Sequence, residues 1–390
     1  MIDSYVKQQD CCGCMLCAEI CPVNAIEEIT ISTFSYPKVN ESKCINCKKC
    51  INKCPIMNAE KTKLPYPTES VVIASNKSLI EKERSTSGGV FIELASEILR
   101  GGGTVYGAEY ADDWKVVHRK AVDECGVRRF QGSKYIQSRI RECYSQISED
   151  LKLGRTVLFS GTPCQVAAIK SFLKDKIQVN GRLITVEILC YGVPSPEVFQ
   201  EHIKLTERKY SKVKKYVFRD ERLGWGHDYI HSVQLENGRE LYNCNFLQAY
   251  ASLFSKRLVF RENCFSCKFA SQKRCADITI GDCWGIEHIA TECLDQRGVS
   301  QVWINTDAGM QLWKNVKDRF HTKQCNVAEL LPYNTVLTKP ADRPEEYEKF
   351  WRLYETKGYE YVLRCFTRYG KTYVIRHKIK RLLEKMRLKK

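Results

Sequence analysis

Long apolar runs are missing from this chain. Nowhere in its 390 residues do eighteen apolar positions follow one another, so no membrane-spanning helix is expected. No basic segment followed by an apolar stretch opens it, so a secretory signal peptide is not expected either. Histidine is scarce, at seven residues, and no HExxH occurs, which disfavours hydrolytic zinc chemistry. A Gly-x-Gly-x-x-Gly fingerprint is absent. Gly370-Lys371-Thr372 imitates the end of a P-loop, but the glycine required five residues earlier is Cys365. The chain therefore reads as neither a P-loop NTPase nor a standard dinucleotide binder.

Cysteine is abundant, at 21 residues, and its arrangement organises the chain. Cys11, Cys14, Cys17 and Cys21-Pro22 repeat in the same spacing as Cys44, Cys47, Cys50 and Cys54-Pro55. Each half is the bacterial ferredoxin run for a 4Fe–4S cluster, in which the fourth cysteine serves the other cluster. Cys11, Cys14, Cys17 and Cys54 are thus assigned to one cluster, and Cys44, Cys47, Cys50 and Cys21 to the second. Pro22 and Pro55 lack a backbone donor and end each loop sharply. A pair of zinc knuckles is the bland reading, since CxxC also binds zinc. Two copies of one four-cysteine run favour clusters. Many cysteines in metal spacing on a chain without a leader point to a reducing cytoplasm rather than a disulfide scaffold.

The length allows two or three domains. The net charge of +16 is uneven, because residues 371–390 hold nine Lys or Arg against one Glu. Such concentration suggests a basic tail with an acidic neighbour, not a nucleic-acid-binding fold. Ile375, Ile379, Leu382, Leu383 and Met386 share one helical face there. A basic amphipathic helix on an anionic membrane or acidic partner, and a helix packed on its own domain, both fit.

Lys61–Pro67 is polar with two prolines and reads as a linker. Strands are then expected at Glu69–Ser75, Thr104–Ala108, Arg155–Ser160, Leu183–Cys190 and Gln301–Thr306. Helices are expected at Val90–Leu99, Gln165–Leu173 and from about Glu197 to Lys209. Alternation of this kind argues for an α/β core. Shorter, polar-alternating strands are expected between Lys214 and Tyr242.

Cys264-x-x-Cys267 is half a metal site. Cys164 and Cys190 each follow an expected strand end, where sites collect in open α/β sheets. A third cluster from these four, and a pair of small buried thiols at Cys164 and Cys190, are both open readings. Cys275 and Cys283 are alternative ligands. Cys12, Cys125, Cys143, Cys244, Cys293, Cys325 and Cys365 have no partner in metal spacing and read as packing residues. Ser85-Thr86-Ser87-Gly88-Gly89 precedes a helix and can be a plain cap or an anion cradle.

Ser85–Gly89, Gly132–Ser138, Gly161–Gln165, Cys190–Pro196, Phe218–Asp220, Cys264–Cys267 and Asp277–Gly285 occur in this order. Together they resemble the coenzyme F420 hydrogenase/dehydrogenase beta subunit family, preceded by a ferredoxin-like unit, over roughly residues 8 to 310. The resemblance implies an iron–sulfur flavoprotein oxidoreductase that binds FAD. It implies flavin contacts from Ser87, Gly88, Gly89, Lys134, Tyr135, Gly161, Thr162 and Pro163. It also implies a third cluster on Cys164, Cys190, Cys264 and Cys267. Cys283 departs from the phenylalanine of the family's Gly-Asp-Phe-Trp-Gly stretch, and Cys275 is an added thiol. The fold expected is an α+β ferredoxin-like domain over 1–60 and an α/β flavin-binding domain with a mixed sheet over 61–310. A C-terminal helical extension is expected over 311–390. Expected partners are a redox protein or ferredoxin and a deazaflavin or other small organic substrate. The alternative is a cluster-only electron-transfer subunit docking to a catalytic partner.

Overall fold

A computed structural model describes residues 2–64, 71–174, 182–226 and 230–370. The basic tail and residues 65–67 of the 61–67 linker lie outside them. At the N-terminus, β1 (Ile26–Ile31) and β2 (Phe34–Val39) form an antiparallel hairpin between the two cysteine runs. The main body begins with β3 (Val71–Asn76), β4 (Thr104–Tyr110), β5 (Val116–Ala121), β6 (Ser138–Arg139), β7 (Val157–Gly161) and β8 (Leu183–Ile188). A separate antiparallel sheet follows, from β9 (Val213–Val217), β10 (Ser232–Leu235) and β11 (Glu240–Tyr242). Then come β12 (Ile278–Asp282), β13 (Ser300–Ile304) and β14 (Phe320–Gln324).

Nine strands join in one mixed sheet of order β14-β3-β13-β12-β8-β7-β4-β5-β6. Neighbours β12, β8, β7 and β4 are parallel, and β13 runs antiparallel to both β12 and β3. Five strands, β3, β12, β8, β7 and β4, thus end on one edge. That edge collects the loops carrying Ser85–Gly89, Gly161–Cys164, Leu189–Cys190 and Asp282–Trp284, where open α/β sheets place ligands. Burial on both faces reaches close to the outer edge, since all residues of β3 and of its inner neighbour β13 are buried. The C-terminal part is helical at Asp307–Val316, Tyr347–Lys357 and Tyr359–Phe366, and β14 pairs with β3 at the sheet's outer edge.

Local chemistry explains the helix starts at the ligand edge. Pro163 opens the Pro163–Leu173 helix, and the Gln165 amide oxygen accepts from Thr162 N at 3.0 Å. Ser195 caps the Pro196–Lys209 helix by accepting from Val198 N at 3.2 Å. Gly88 must be glycine because a Cβ there would lie 2.3 Å from the Ala74 carbonyl oxygen. Val90, Leu94, Ala95 and Ile98 form the buried stripe of the Val90–Arg100 helix behind it. Among the described residues no helix is long and apolar enough to cross a membrane.

The N-terminal unit is seated on the main body. Phe34 and Tyr36 enter the same core as Phe260 and Trp351. Lys53 and Ser171 exchange side-chain-to-carbonyl bonds of 2.9 and 2.7 Å, and Tyr144 Oη donates to the Cys14 carbonyl at 3.0 Å.

The large aromatic core hides two histidines. Tyr359 and Tyr216 hydroxyls hydrogen-bond the Nδ1 atoms of His202 and His231, at 2.9 and 2.7 Å. Burial pushes both imidazoles down to about 3. The unfolded chain therefore takes up their protons first as pH falls below the ordinary histidine range. Stability is full above about pH 6.5 and is lost progressively toward pH 3. Each histidine steepens that loss by about 1.4 kcal/mol per pH unit. His231→Gln cannot take up that proton. Urea midpoints between pH 6.5 and 5 are expected to fall less for this variant by that amount. Equal slopes would contradict the assignment.

Candidate functional site

The two cysteine runs share one backbone path. Gly13 and Asn46 sit at φ of 69° and 52°, and Met15 and Lys48 at 58° and 57°. Left-handed residues on both sides of Cys14 and Cys47 turn each loop back on itself. Non-glycine residues reach that region at a cost of about 1–2 kcal/mol. Short helices, Leu16–Glu19 and Lys49–Asn52, then carry Cys17 and Cys50. The duplication in sequence is thus a duplication in conformation.

Cys21, Cys44, Cys47 and Cys50 line one cavity, walled by Ile2, Ile26 and Val39. Cys11, Cys14, Cys17 and Cys54 gather next to it. Burial raises the Cys17 thiol, and Cys11 and Cys54 raise it further. A hydrogen bond with Cys12 lowers Cys14, but burial, Cys54 and Cys17 outweigh it. Among the described residues no three His, Cys, Asp or Glu side chains converge on a single-ion position. A cubane binds each thiolate to a different iron and needs space between the sulfurs. As soft thiols, these donors suit iron–sulfur ligation by their chemistry.

Cys164, Cys190, Cys264 and Cys267 line a third cavity with Cys12 and Arg274. Cys164 is the second residue of its helix, Cys190 leaves β8, and Cys264 lies in the turn Glu262–Ser266. Burial pushes Cys264 up to about 12 and Cys267 to about 11. Burial likewise raises Cys190, helped by Cys264, Cys164 and Cys267. Burial of this kind holds these groups as neutral thiols unless a metal cation joins them. Cys275 turns away, donating to Glu187 Oε2 at 2.8 Å and the Pro163 carbonyl at 3.3 Å. Cys283 is buried in a different apolar cluster near Cys293 and Cys325. Cys12, read from sequence as a packing residue, is buried beside Cys14 and Cys164, and Cys14 and burial raise its thiol. Its spacing carried no signal.

A cavity of about 490 Å³ opens at the sheet edge beside the third set of cysteines. Ser87, Gly89, Lys134, Tyr135, Gly161 and Thr162 line it. Gly88 stands behind the wall, its N–H donating to Ser300 Oγ at 3.0 Å, and Pro163 faces the cysteine cavity instead. Thr86 and Ser133 tie the two glycine-bearing loops by a 2.7 Å bond. Lys134 Nζ donates to the carbonyls of Phe130, Gln131 and Gly132 at 3.3, 3.1 and 3.1 Å, and burial lowers it to about 8. Thr162, Gln165 and Cys190 line both cavities.

Further lining residues carried no composition signal. His118 Nε2 donates to the Ser160 carbonyl at 2.8 Å, its Nδ1 has no partner among the described residues, and burial lowers it to about 4. Asp282 accepts from Arg219 at 2.7 Å and Trp225 at 3.0 Å, while Trp225 stacks on Trp284 with ring centres 5.0 Å apart. Tyr333, beyond residue 310, closes the same wall.

Two family models match the chain. Residues 154–328 match the one described as the C terminus of the coenzyme F420 hydrogenase/dehydrogenase beta chain. Residues 5–27 match the 4Fe-4S binding domain. The first match runs past Met310 and includes β14, which belongs to the sheet. No curated protein matches the chain. One solved structure similar to it is a chain of the F420-reducing nickel–iron hydrogenase complex from Methanosarcina barkeri, described in a xenon derivatization study. Identity is 19%, the TM-score is 0.45, and 76% of this chain and 91% of that one are covered.

Proposed function

We propose, from the premise that this chain belongs to the coenzyme F420 hydrogenase/dehydrogenase beta-subunit family, that it is an iron–sulfur flavoprotein with resident FAD. Its substrate would be a deazaflavin or another small organic molecule. The oxidoreductase class and the electron-transfer role follow from the matched family and the 4Fe–4S domain. The observation that carries the finer reading is the shared wall. Thr162, Gln165 and Cys190 separate a thiol-lined cavity from one large enough for an organic cofactor.

The residues divide the work. Cys11, Cys14, Cys17 and Cys54 would hold one cluster, Cys21, Cys44, Cys47 and Cys50 a second, and Cys164, Cys190, Cys264 and Cys267 a third. Ser87, Gly88 and Gly89 open an eleven-residue helix whose N-terminus favours a phosphate. Lys134 adds a positive charge on the same wall. Asp282, held by Arg219, and Trp284, backed by Trp225, supply a polar and a flat apolar contact. Bound FAD would supply two-electron chemistry that clusters lack. Residues 1–60 would form the ferredoxin-like unit, 61–310 the flavin domain and 311–390 a C-terminal extension, in a cytoplasmic protein.

The second cluster offers the outward contact. Cys47 is exposed, with Lys43, Ile45, Lys48 and Lys49 exposed around it. A basic rim with an apolar centre suits an acidic redox protein such as a ferredoxin.

Anaerobic purification tests the reading. Roughly twelve irons with matching sulfide, and one FAD released on denaturation, are expected per chain. Iron without flavin would replace it with the cluster-only carrier. Zinc in place of iron would end both.

A further inference from the structure

Arg261 is fully buried, yet no carboxylate pairs with it among the described residues. Its Nε donates to the Cys11 carbonyl at 2.6 Å, one terminal nitrogen to Gln137 Oε1 at 3.0 Å and the other to the Ser35 carbonyl at 2.9 Å. The guanidinium lies 4.2 Å from the Tyr36 ring centre and 5.3 Å from that of Phe34. All its oxygen partners are neutral. The neighbouring Glu262 is turned to Arg343. An arginine keeps its charge in proteins, and an uncompensated buried charge is strongly unfavourable.

The surroundings say where the missing negative charge comes from. Through its side chain Arg261 grips the first residue of the Cys11 run. Its own carbonyl accepts from Cys264 N at 3.0 Å, at the start of the third cysteine set. Gly13, between Cys11 and Cys14, leaves room for it, since a Cβ there would meet a guanidinium nitrogen at 2.7 Å. No such bond reaches Cys21, Cys44, Cys47 or Cys50.

We infer that Arg261 is the shared counter-charge of the first and third clusters, joining the two units and raising both reduction potentials. This rests on the cluster assignment proposed above. A four-thiolate cubane is an anion that gains one further negative charge on reduction. A fixed cation nearby, in a medium of low dielectric, favours that reduced form. The second cluster lies outside the grip and keeps its potential. Arg261 is a positioning residue whose charge has a measurable consequence apart from its packing.

The test is an anaerobic redox titration followed by electron paramagnetic resonance. Signals are assigned by their loss in Cys47→Ser and Cys190→Ser. In Arg261→Gln the reduction equilibria of the first and third clusters are expected to fall at least tenfold. That is about 59 mV for a one-electron couple. The second cluster should move less than threefold. Gln137→Glu, which sets a carboxylate on the intact guanidinium, should shift the same two clusters in the same direction. Arg261→Lys keeps the charge and should stay near the parent values. Unchanged potentials in an iron-replete Arg261→Gln or Gln137→Glu protein would overturn the inference. If both neutralised variants lose iron, Arg261→Lys decides. Full loading supports the counter-charge, and equal loss means a purely structural role. A parent chain without iron would instead refute the cluster assignment.

Discussion

Cys190→Ser is expected to hold roughly eight irons where roughly twelve are expected for the parent chain. β8 ends at Ile188 and delivers Cys190 to the ligand edge. There the thiol faces Cys164, Cys264 and Cys267 across one cavity, and it also borders the larger cavity through the shared wall. Serine keeps the volume but loses the soft thiolate that iron–sulfur sites require. The clusters proposed for the N-terminal cysteines should persist with their signals unchanged. Released FAD should stay near one per chain, because Ser87–Gly89 and Lys134 are untouched. Electrons given to the flavin should then no longer bleach the N-terminal clusters. Iron and sulfide counts with anaerobic spectra check this. Cys125→Ser, at an exposed thiol, is the control and should change nothing. Full iron content in Cys190→Ser would remove Cys190 from the ligand set.

Glu187→Ala is expected to destabilise the chain by about 3–5 kcal/mol, the usual consequence of leaving half of a buried ion pair. Glu187 and Arg274 are almost completely buried and paired. Cys275 Sγ and Thr279 Oγ1 also donate to the same carboxylate, at 2.8 and 2.9 Å. Removing it takes a carboxylate acceptor from three donors at once. Arg274 further holds the Phe269 and Ser271 carbonyls at 3.4 and 2.8 Å, in the loop that follows Cys267. The same variant should therefore bind less iron at the third site while keeping the N-terminal clusters. Glu187→Gln retains an acceptor and should lose less. Urea midpoints and iron counts measure both effects. A midpoint within about 1 kcal/mol of the parent, a bound far below the loss expected for a broken buried pair, would show that the pair is dispensable.

The sequence was most legible where structure is local. The helix expected at Val90–Leu99 runs over Val90–Arg100, because its apolar stripe and flanking glycines act within a few residues. The turn at Gly161–Cys164 forms as its proline and capping pair require. The strand expected at Leu183–Cys190 stops two residues earlier, since Leu189 and Cys190 already turn into the ligand edge. β5 escaped notice because His118, Arg119 and Lys120 interrupt its apolar pattern, although His118 is buried. Tyr333 and Arg261 gave no sign of their positions. Nothing near them in the chain predicts that one closes a cavity wall and the other lies beneath the first cysteine run.

By itself the sequence determined that the first unit holds two like cysteine loops, because two copies of one short spacing confine each loop to the same path. It also determined that an alternating α/β body follows. Only the tertiary structure decided which of the remaining cysteines share a cavity. Cys164, Cys190 and the Cys264–Cys267 pair sit on loops far apart in the chain. Cys164 and Cys190 meet because β7 and β8 lie parallel side by side, so that their carboxyl ends open on one edge, and the Cys264–Cys267 turn is tied to the same edge by Arg261 N, which donates to the Val193 carbonyl at 2.9 Å. Strand order is set by long-range pairing, and no local pattern of residues encodes it.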